Sequence, residues 1–248
     1  MDAGRTKRRH IDWRLTHWEL LIVSLMFVAI YVTRETGAFG SAALRVLDDV
    51  FIAVALLVVL RAAHVRRGHA IAHLVVAGTS IVVAVVDTMV SNEELYRLSI
   101  GLSAYLVIVV AALTLGLVVR QRHVSVDTIF GALSVYLAVG VAFGMVFTAV
   151  ARTNPGAFEP AQFVIDGESS LYYFSFVTLT SLGYGDIAPV ADGVRILATI
   201  ETIIGALLLA AVVGWVVGLL VAVRTESDAD RRLDTIVAAL ERLSDRQG

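Results

Sequence analysis

The sequence predicts an all-α membrane protein with six transmembrane helices, a re-entrant helix and loop before the last of them, and a short cytoplasmic C-terminal helix. Composition carries the first part of that reading. The 248 residues are 58% hydrophobic and only 17% charged, whereas a soluble domain is about 45–50% apolar and about 25% charged. Mean hydropathy is +0.80. Such a chain has too little polar surface to cover itself in water, which argues against a soluble enzyme, a secreted scaffold or a disordered regulator. With no cysteine there is no disulfide, thiolate metal site or cysteine nucleophile. A net charge of −2, with basic residues that are nearly all Arg, is not the footprint of a nucleic-acid binder.

Helix length and charge placement carry the rest. A bilayer core about 30 Å thick takes about 20 mostly apolar residues, and six stretches qualify: 18–33, 45–62, 71–90, 97–119, 127–151 and 194–223. Within the basic N-terminus 1–17, the cluster Arg5 to Arg9 followed by the apolar run Leu20–Val32 imitates a signal peptide. However, Ile11 to Glu19 separate the two and no Ala-x-Ala site follows, so this run is expected to stay as the first span. Fifteen of the 20 basic residues lie before the first span, after the second, after the fourth or after the sixth. By the positive-inside rule that side is cytoplasmic. Both termini are then cytoplasmic, and Glu35, Glu93, Glu94, Glu159, Asp166, Glu168 and Asp186 lie on the other side.

The connection 152–193 is too polar and glycine-rich to span, yet Leu171 to Thr180 is an apolar-aromatic run. It reads as a re-entrant helix over 170–180, tolerated at membrane depth only where it is buried in protein or lines water. Ser169 and Ser170 are its N-cap candidates. Gly183-Tyr184-Gly185 then breaks the helix, because glycine accepts backbone angles closed to other residues. Two glycines around one residue allow an extended strand whose carbonyls turn to one side. In a bilayer those carbonyls need a partner, and a dehydrated cation is the natural one. The negative C-terminal end of the short helix favours a cation at the same place.

Thr178-Leu179-Thr180-Ser181-Leu182-Gly183-Tyr184-Gly185-Asp186 resembles the signature sequence of potassium channels, whose usual core is Thr-Val-Gly-Tyr-Gly. The resemblance covers 127–223: an outer helix, a pore helix 170–180, a filter 181–186 and an inner helix 194–223. It is that of a six-transmembrane family with one pore loop per subunit, and the pore domain is similar to bacterial two-transmembrane channels. It implies that Ser181, Leu182, Gly183 and Tyr184 offer main-chain carbonyls to K+, with the Ser181 hydroxyl completing the innermost site. Thr180, Gly185 and Asp186 would support the filter, Gly185 by permitting the outward turn and Asp186 by bracing it from behind. Ser181 replaces the usual Thr and keeps its hydroxyl. Leu182 replaces Val, with a side chain expected to point away from the ions. One loop cannot enclose an ion, so the resemblance also implies a homotetramer around a central axis, in contact with membrane lipid. No cofactor, nucleic-acid partner, small-molecule substrate or enzymatic activity is expected, K+ being the permeant ion and the cell membrane the location.

The four leading spans have the layout of a voltage-gated channel without its sensor. Voltage sensing needs several charges moving through the field, each worth about 2.3 kcal/mol per 100 mV. The fourth span has Arg97 and Arg120 only at its ends. Residues 18–120 therefore read as an accessory domain. Asp48, Asp49 and Asp87 lie near its outer face, where carboxylates are expected to snorkel to water, and Asp87 is placed to pair with Arg97. A transporter or membrane enzyme worked by these four spans is one alternative, and a weakly selective cation channel is the other.

In the last span Gly205 lies nineteen residues after Asp186, which resembles the spacing of the hinge glycine of potassium-channel inner helices. Gly214 and Gly218 have small-xxx-small spacing, the pattern of close helix packing. Glu201 is the most expensive residue in the span, since a carboxylate there must pair, protonate or face water. It is expected to hydrogen-bond the pore-helix region of its own or a neighbouring subunit. Glu201, Gly205, Gly214 and Gly218 are the gating candidates. In the tail 225–248, residues 228–245 form an amphipathic helix in which Leu233, Ile236, Leu240 and Leu243 have the spacing of a short coiled-coil seam. His10, His17, His64, His69, His73 and His123 all fall near the cytoplasmic face, with no metal-ligand spacing.

Overall fold

The computed structural model describes residues 17–36, 41–90, 92–120, 125–160 and 169–244. Helices α1 (His17–Thr36), α2 (Ser41–Ala62), α3 (Arg67–Val90), α4 (Glu93–Val119) and α5 (Val126–Thr153) come first. A short 3₁₀ turn, Pro155–Ala157, leads into strand β1 (Phe158–Glu159). Helix α6 (Ser169–Leu179), strand β2 (Ala188–Pro189) and helix α7 (Asp192–Ser244) complete the order. Four helices are long and apolar enough to cross a membrane: α3, α4, α5 and the Asp192–Gly218 part of α7. The apolar stretch described in α1 is shorter, Glu19–Val32, and the first half of α2 carries Arg45, Asp48 and Asp49.

Periodicity explains the bundle. Val23, Phe27 and Ile30 of α1 and Ile52, Leu56 and Val59 of α2 are buried at 3- and 4-residue intervals, the spacing of one helix face. They pack with Val107 and Val110 of α4 and Val141 and Met145 of α5. Helix α3 buries only a stripe of small and polar residues, Ala77, Ser80, Ala84 and Asp87, while Val75, Val82 and Met89 stay exposed. The Asn92 side chain caps α4 by accepting the Glu94 and Leu95 N–H groups at 2.8 and 3.4 Å. Glu93 and Glu94 in its first turn complement the positive end of the helix dipole.

Helix α6 leans on three neighbours. An added Cβ at Gly140 would lie 2.6 Å from the Phe176 ring, and one at Gly144 would lie 2.8 Å from the Tyr172 ring. The missing side chains of α5 are therefore what let α6 lie so close, running antiparallel to it. Tyr31 of α1 meets Phe176 edge to face at 4.9 Å, a contact worth about 0.5–1.5 kcal/mol. Phe147, Phe158 and Phe174 form a second aromatic cluster with centroids 5.1–5.8 Å apart. Strands β1 and β2 pair antiparallel, Phe158 opposite Pro189. The Ala157 carbonyl also accepts the Val190 N–H at 2.9 Å. These bonds fasten the segment after the 181–186 loop to the end of α5.

Several expectations change. The span 194–223 and the tail helix 228–245 are one uninterrupted helix, α7, of 53 residues and about 80 Å. No glycine or proline falls between Gly218 and Ser244 to stop it. Ser169 and Ser170 are the first two residues of α6 rather than its cap. Asp48 and Asp49 do not snorkel, being 1% and 3% exposed. Asp49 accepts hydrogen bonds from Ser80 at 3.0 Å and from Ser103. Asp87 pairs with Arg45 at 3.0 Å, while Arg97 pairs locally with Glu93 and Glu94. In a helix-packed interior a carboxylate is satisfied sideways by the next helix, and that route is shorter than the path to the surface.

Candidate functional site

The loop 180–186 starts from the way α6 ends. The Leu182 N–H reaches the Val177 carbonyl at 2.9 Å and the Ser181 N–H reaches the Thr178 carbonyl at 2.9 Å. Ser181 itself sits at φ +59°. This is a Schellman C-cap with a serine at the left-handed position that usually takes Gly or Asn, at a cost of roughly 1–2 kcal/mol. The helix end thus fixes the orientation of the first loop residue. Positive φ recurs at Gly183 (59°) and Gly185 (78°). Left-handed residues thus recur at every second position of the loop. Residues 180–186 are all exposed in the chain, Leu182 at 55% and Tyr184 at 66%.

Asp186 anchors the far end. Its carboxylate accepts the Tyr173 hydroxyl at 2.7 Å and the Ile187 N–H at 3.1 Å. The Tyr173 and Tyr184 rings lie parallel, 6.4 Å apart and tilted by 6°. One side chain of α6 therefore touches both the middle and the exit of the loop. Thr180 turns back to its own helix, its hydroxyl donating to the Phe176 carbonyl at 2.7 Å.

Helix α7 supports α6 from the other side. Glu201 is fully buried, and Ser175 Oγ lies 2.5 Å from Glu201 Oε1 and 2.7 Å from the Gly140 carbonyl oxygen. Gly205 lies against the last carbonyl of α6, where an added Cβ would be 2.1 Å from the Leu179 oxygen. Gly214 and Gly218 have nothing of their own chain within 4 Å. Among the gating candidates, then, Glu201 and Gly205 touch the helix that carries the loop, whereas Gly214 and Gly218 lie farther along α7. The tail positions 233, 236, 240 and 243 fall on the α7 backbone, and their side chains lie outside the described residues.

Sequence reasoning missed Tyr173 and Ser175. The signal for Ser175 was its small hydroxyl inside an otherwise bulky apolar run; the signal for Tyr173 was a phenol on a helix that leads directly to a carboxylate-terminated loop. His10 and His123 lie outside the described residues. His73 meets the Tyr105 hydroxyl at 3.2 Å, and among the described residues no group of three or more His, Asp or Glu is placed to hold a metal.

Residues 133–222 match the model of the ion channel family. The matched stretch begins within α5, takes in α6 and the loop, and ends within α7; the four leading helices lie outside it. Comparison with curated proteins and with solved structures gives no match.

Proposed function

We propose that the chain is one subunit of a potassium-selective channel that conducts K+ passively through a tetrameric pore in the cell membrane. The observation that carries this reading is the alternation of left-handed residues at 181, 183 and 185 on a loop held by the end of a buried short helix. Four copies around one axis supply rings of carbonyl oxygens from Ser181, Leu182, Gly183 and Tyr184, with the Ser181 hydroxyl below them. Each ring replaces part of the hydration shell of a cation, and ions advance in single file by displacing one another. Thr180, Gly185 and Asp186 hold the loop in shape. The C-terminal end of α6 supplies negative potential beneath it. The match of 133–222 to an ion channel family supports the same assignment.

In this reading α1, α2 and the re-entrant α6 share the membrane with the four longer helices, giving six spans with both termini cytoplasmic. Helices α1–α4 carry no row of basic residues along α4 and form an accessory domain rather than a standard voltage sensor. Glu201 and Gly205 connect α7 to the filter helix. The test is ion flux into vesicles holding the purified protein. Wild type takes up K+ against a Na+ background, and Gly183→Ala, which puts a side chain at a left-handed position, loses that uptake. Equal uptake of Na+ by wild type would overturn selectivity, and an assembly without a shared axis through 181–184 would overturn the pore.

A second reading has one observation in its favour. Asp48, Asp49 and Asp87 are buried in the leading helices, as a transporter or membrane enzyme would require. Transport that survives Gly183→Ala and is lost on Asp49→Asn would select it.

A further inference from the structure

Three helices meet at one hydroxyl behind the loop. Ser175 Oγ of α6 lies within hydrogen-bonding distance of two acceptors, the Gly140 carbonyl of α5 at 2.7 Å and Glu201 Oε1 of α7 at 2.5 Å. A serine hydroxyl owns one hydrogen and accepts through its lone pairs. One hydrogen cannot serve both oxygens, so with an ionised Glu201 two acceptors would compete for it in a buried site. The second carboxyl oxygen, Oε2, has no hydrogen-bond partner and is buried. No described cation pairs with Glu201; the Tyr136 phenol of α5 is the titratable neighbour within electrostatic range, and α6 offers Ser175. A buried carboxylate with one contested hydrogen and no counter-ion is the costliest arrangement open to it.

We propose that Glu201 is held as a carboxylic acid that donates to Ser175 Oγ, so that Ser175 in turn donates to the Gly140 carbonyl. Every hydrogen then has one acceptor, and the relay runs in a single direction from α7 through α6 to α5. Glu201 is a positioning residue in this scheme, acting on the filter through Ser175. Its place along the helices supports that role. Glu201 and Gly205 are one turn apart on α7, and their partners Ser175 and Leu179 are one turn apart on α6. The two helices thus run side by side in matched register, fastened once by a hydrogen bond and once by backbone contact just before Ser181.

The consequence for conduction rests on the channel reading, while the protonation state does not. Infrared difference spectra of wild type against Glu201→Gln at neutral pH read the acid directly. The expected result is a wild-type carbonyl band of a protonated carboxyl that Glu201→Gln removes. A difference spectrum showing the loss of carboxylate bands instead would overturn the proposal. The functional arm uses rescue. Glu201→Gln keeps a donor aimed at Ser175, so its open probability stays near that of wild type. Glu201→Leu and Ser175→Ala each lower it on the order of tenfold, and the double variant falls no further than either single one. A Glu201→Gln channel as impaired as Glu201→Leu would also overturn it. If wild type lacked potassium selectivity, the channel reading would fall while the infrared result still decided the state of Glu201.

Discussion

Ser181 and Gly183 share a φ of +59°, and both are tied to the end of α6. The Ser181 N–H reaches the Thr178 carbonyl at 2.9 Å, and the Gly183 N–H reaches, at 3.4 Å, the Val177 carbonyl that also accepts from Leu182. The loop is therefore braced at its two ends, by the helix cap and by the Tyr173–Asp186 bond. Tyr173→Phe removes the second brace. Its expected effect is a loss of about 1 kcal/mol of stability and faster collapse of conduction at low K+, followed by thermal melting and by current decay. Gly205 gives a sharper case. With a carbonyl oxygen 2.1 Å from where its Cβ would sit, Gly205→Ala must displace α6 or α7 and is expected to destabilise by about 1–3 kcal/mol. Gly214→Ala, with open space around it, serves as the control in the same melting experiment. Equal effects of the two substitutions would contradict close packing at Gly205.

Among the elements, the pair α2–α3 has the most surprising chemistry. The Arg45–Asp87 bridge spans them at 3.0 Å with Asp87 only 3% exposed. The Arg45 guanidinium lies 5.3 Å from the Tyr96 ring centre, and that of Arg152 lies 3.7 Å from it. Removing one partner of a buried pair leaves the other charge uncompensated, so Asp87→Ala is expected to cost about 3–5 kcal/mol. Arg97→Gln breaks only exposed contacts and is expected to cost at most about 1 kcal/mol. Comparable melting of the two variants would contradict this assignment. A short helix over 170–180 and the hydrogen bond of Glu201 to it were legible in the sequence, because hydropathy and helix-breaking glycines act locally. The partners of Asp49 and Asp87 were not. They depend on which helix faces meet, and a run such as α3, apolar nearly all round, does not declare its inner face. The continuity of α7 was missed for a related reason, since a change from apolar to polar composition marks the membrane boundary without ending the helix.

Across the whole molecule, helices α1, α2, α4, α5 and α6 share one hydrophobic core. Tyr31 of α1 touches Phe176, and Tyr172 of α6 is buried in the core of the leading helices. Whatever moves α1–α4 therefore presses directly on the support of the loop, with no linker between. The long α7 adds a separate lever. Truncation after Arg224 removes the polar part of α7 while leaving every contact described around the loop, so ion selectivity is expected to persist in the shortened chain. Altered selectivity in that variant would point to a role for the tail in shaping the pore. If main-chain oxygens at 181–184 coordinate the permeant ion as proposed, the reversal potential of the purified protein in a bilayer with K+ on one side and Na+ on the other is set by K+ alone and is lost when Gly183 is replaced by Ala. A potential near zero for wild type under the same gradient rules that coordination out.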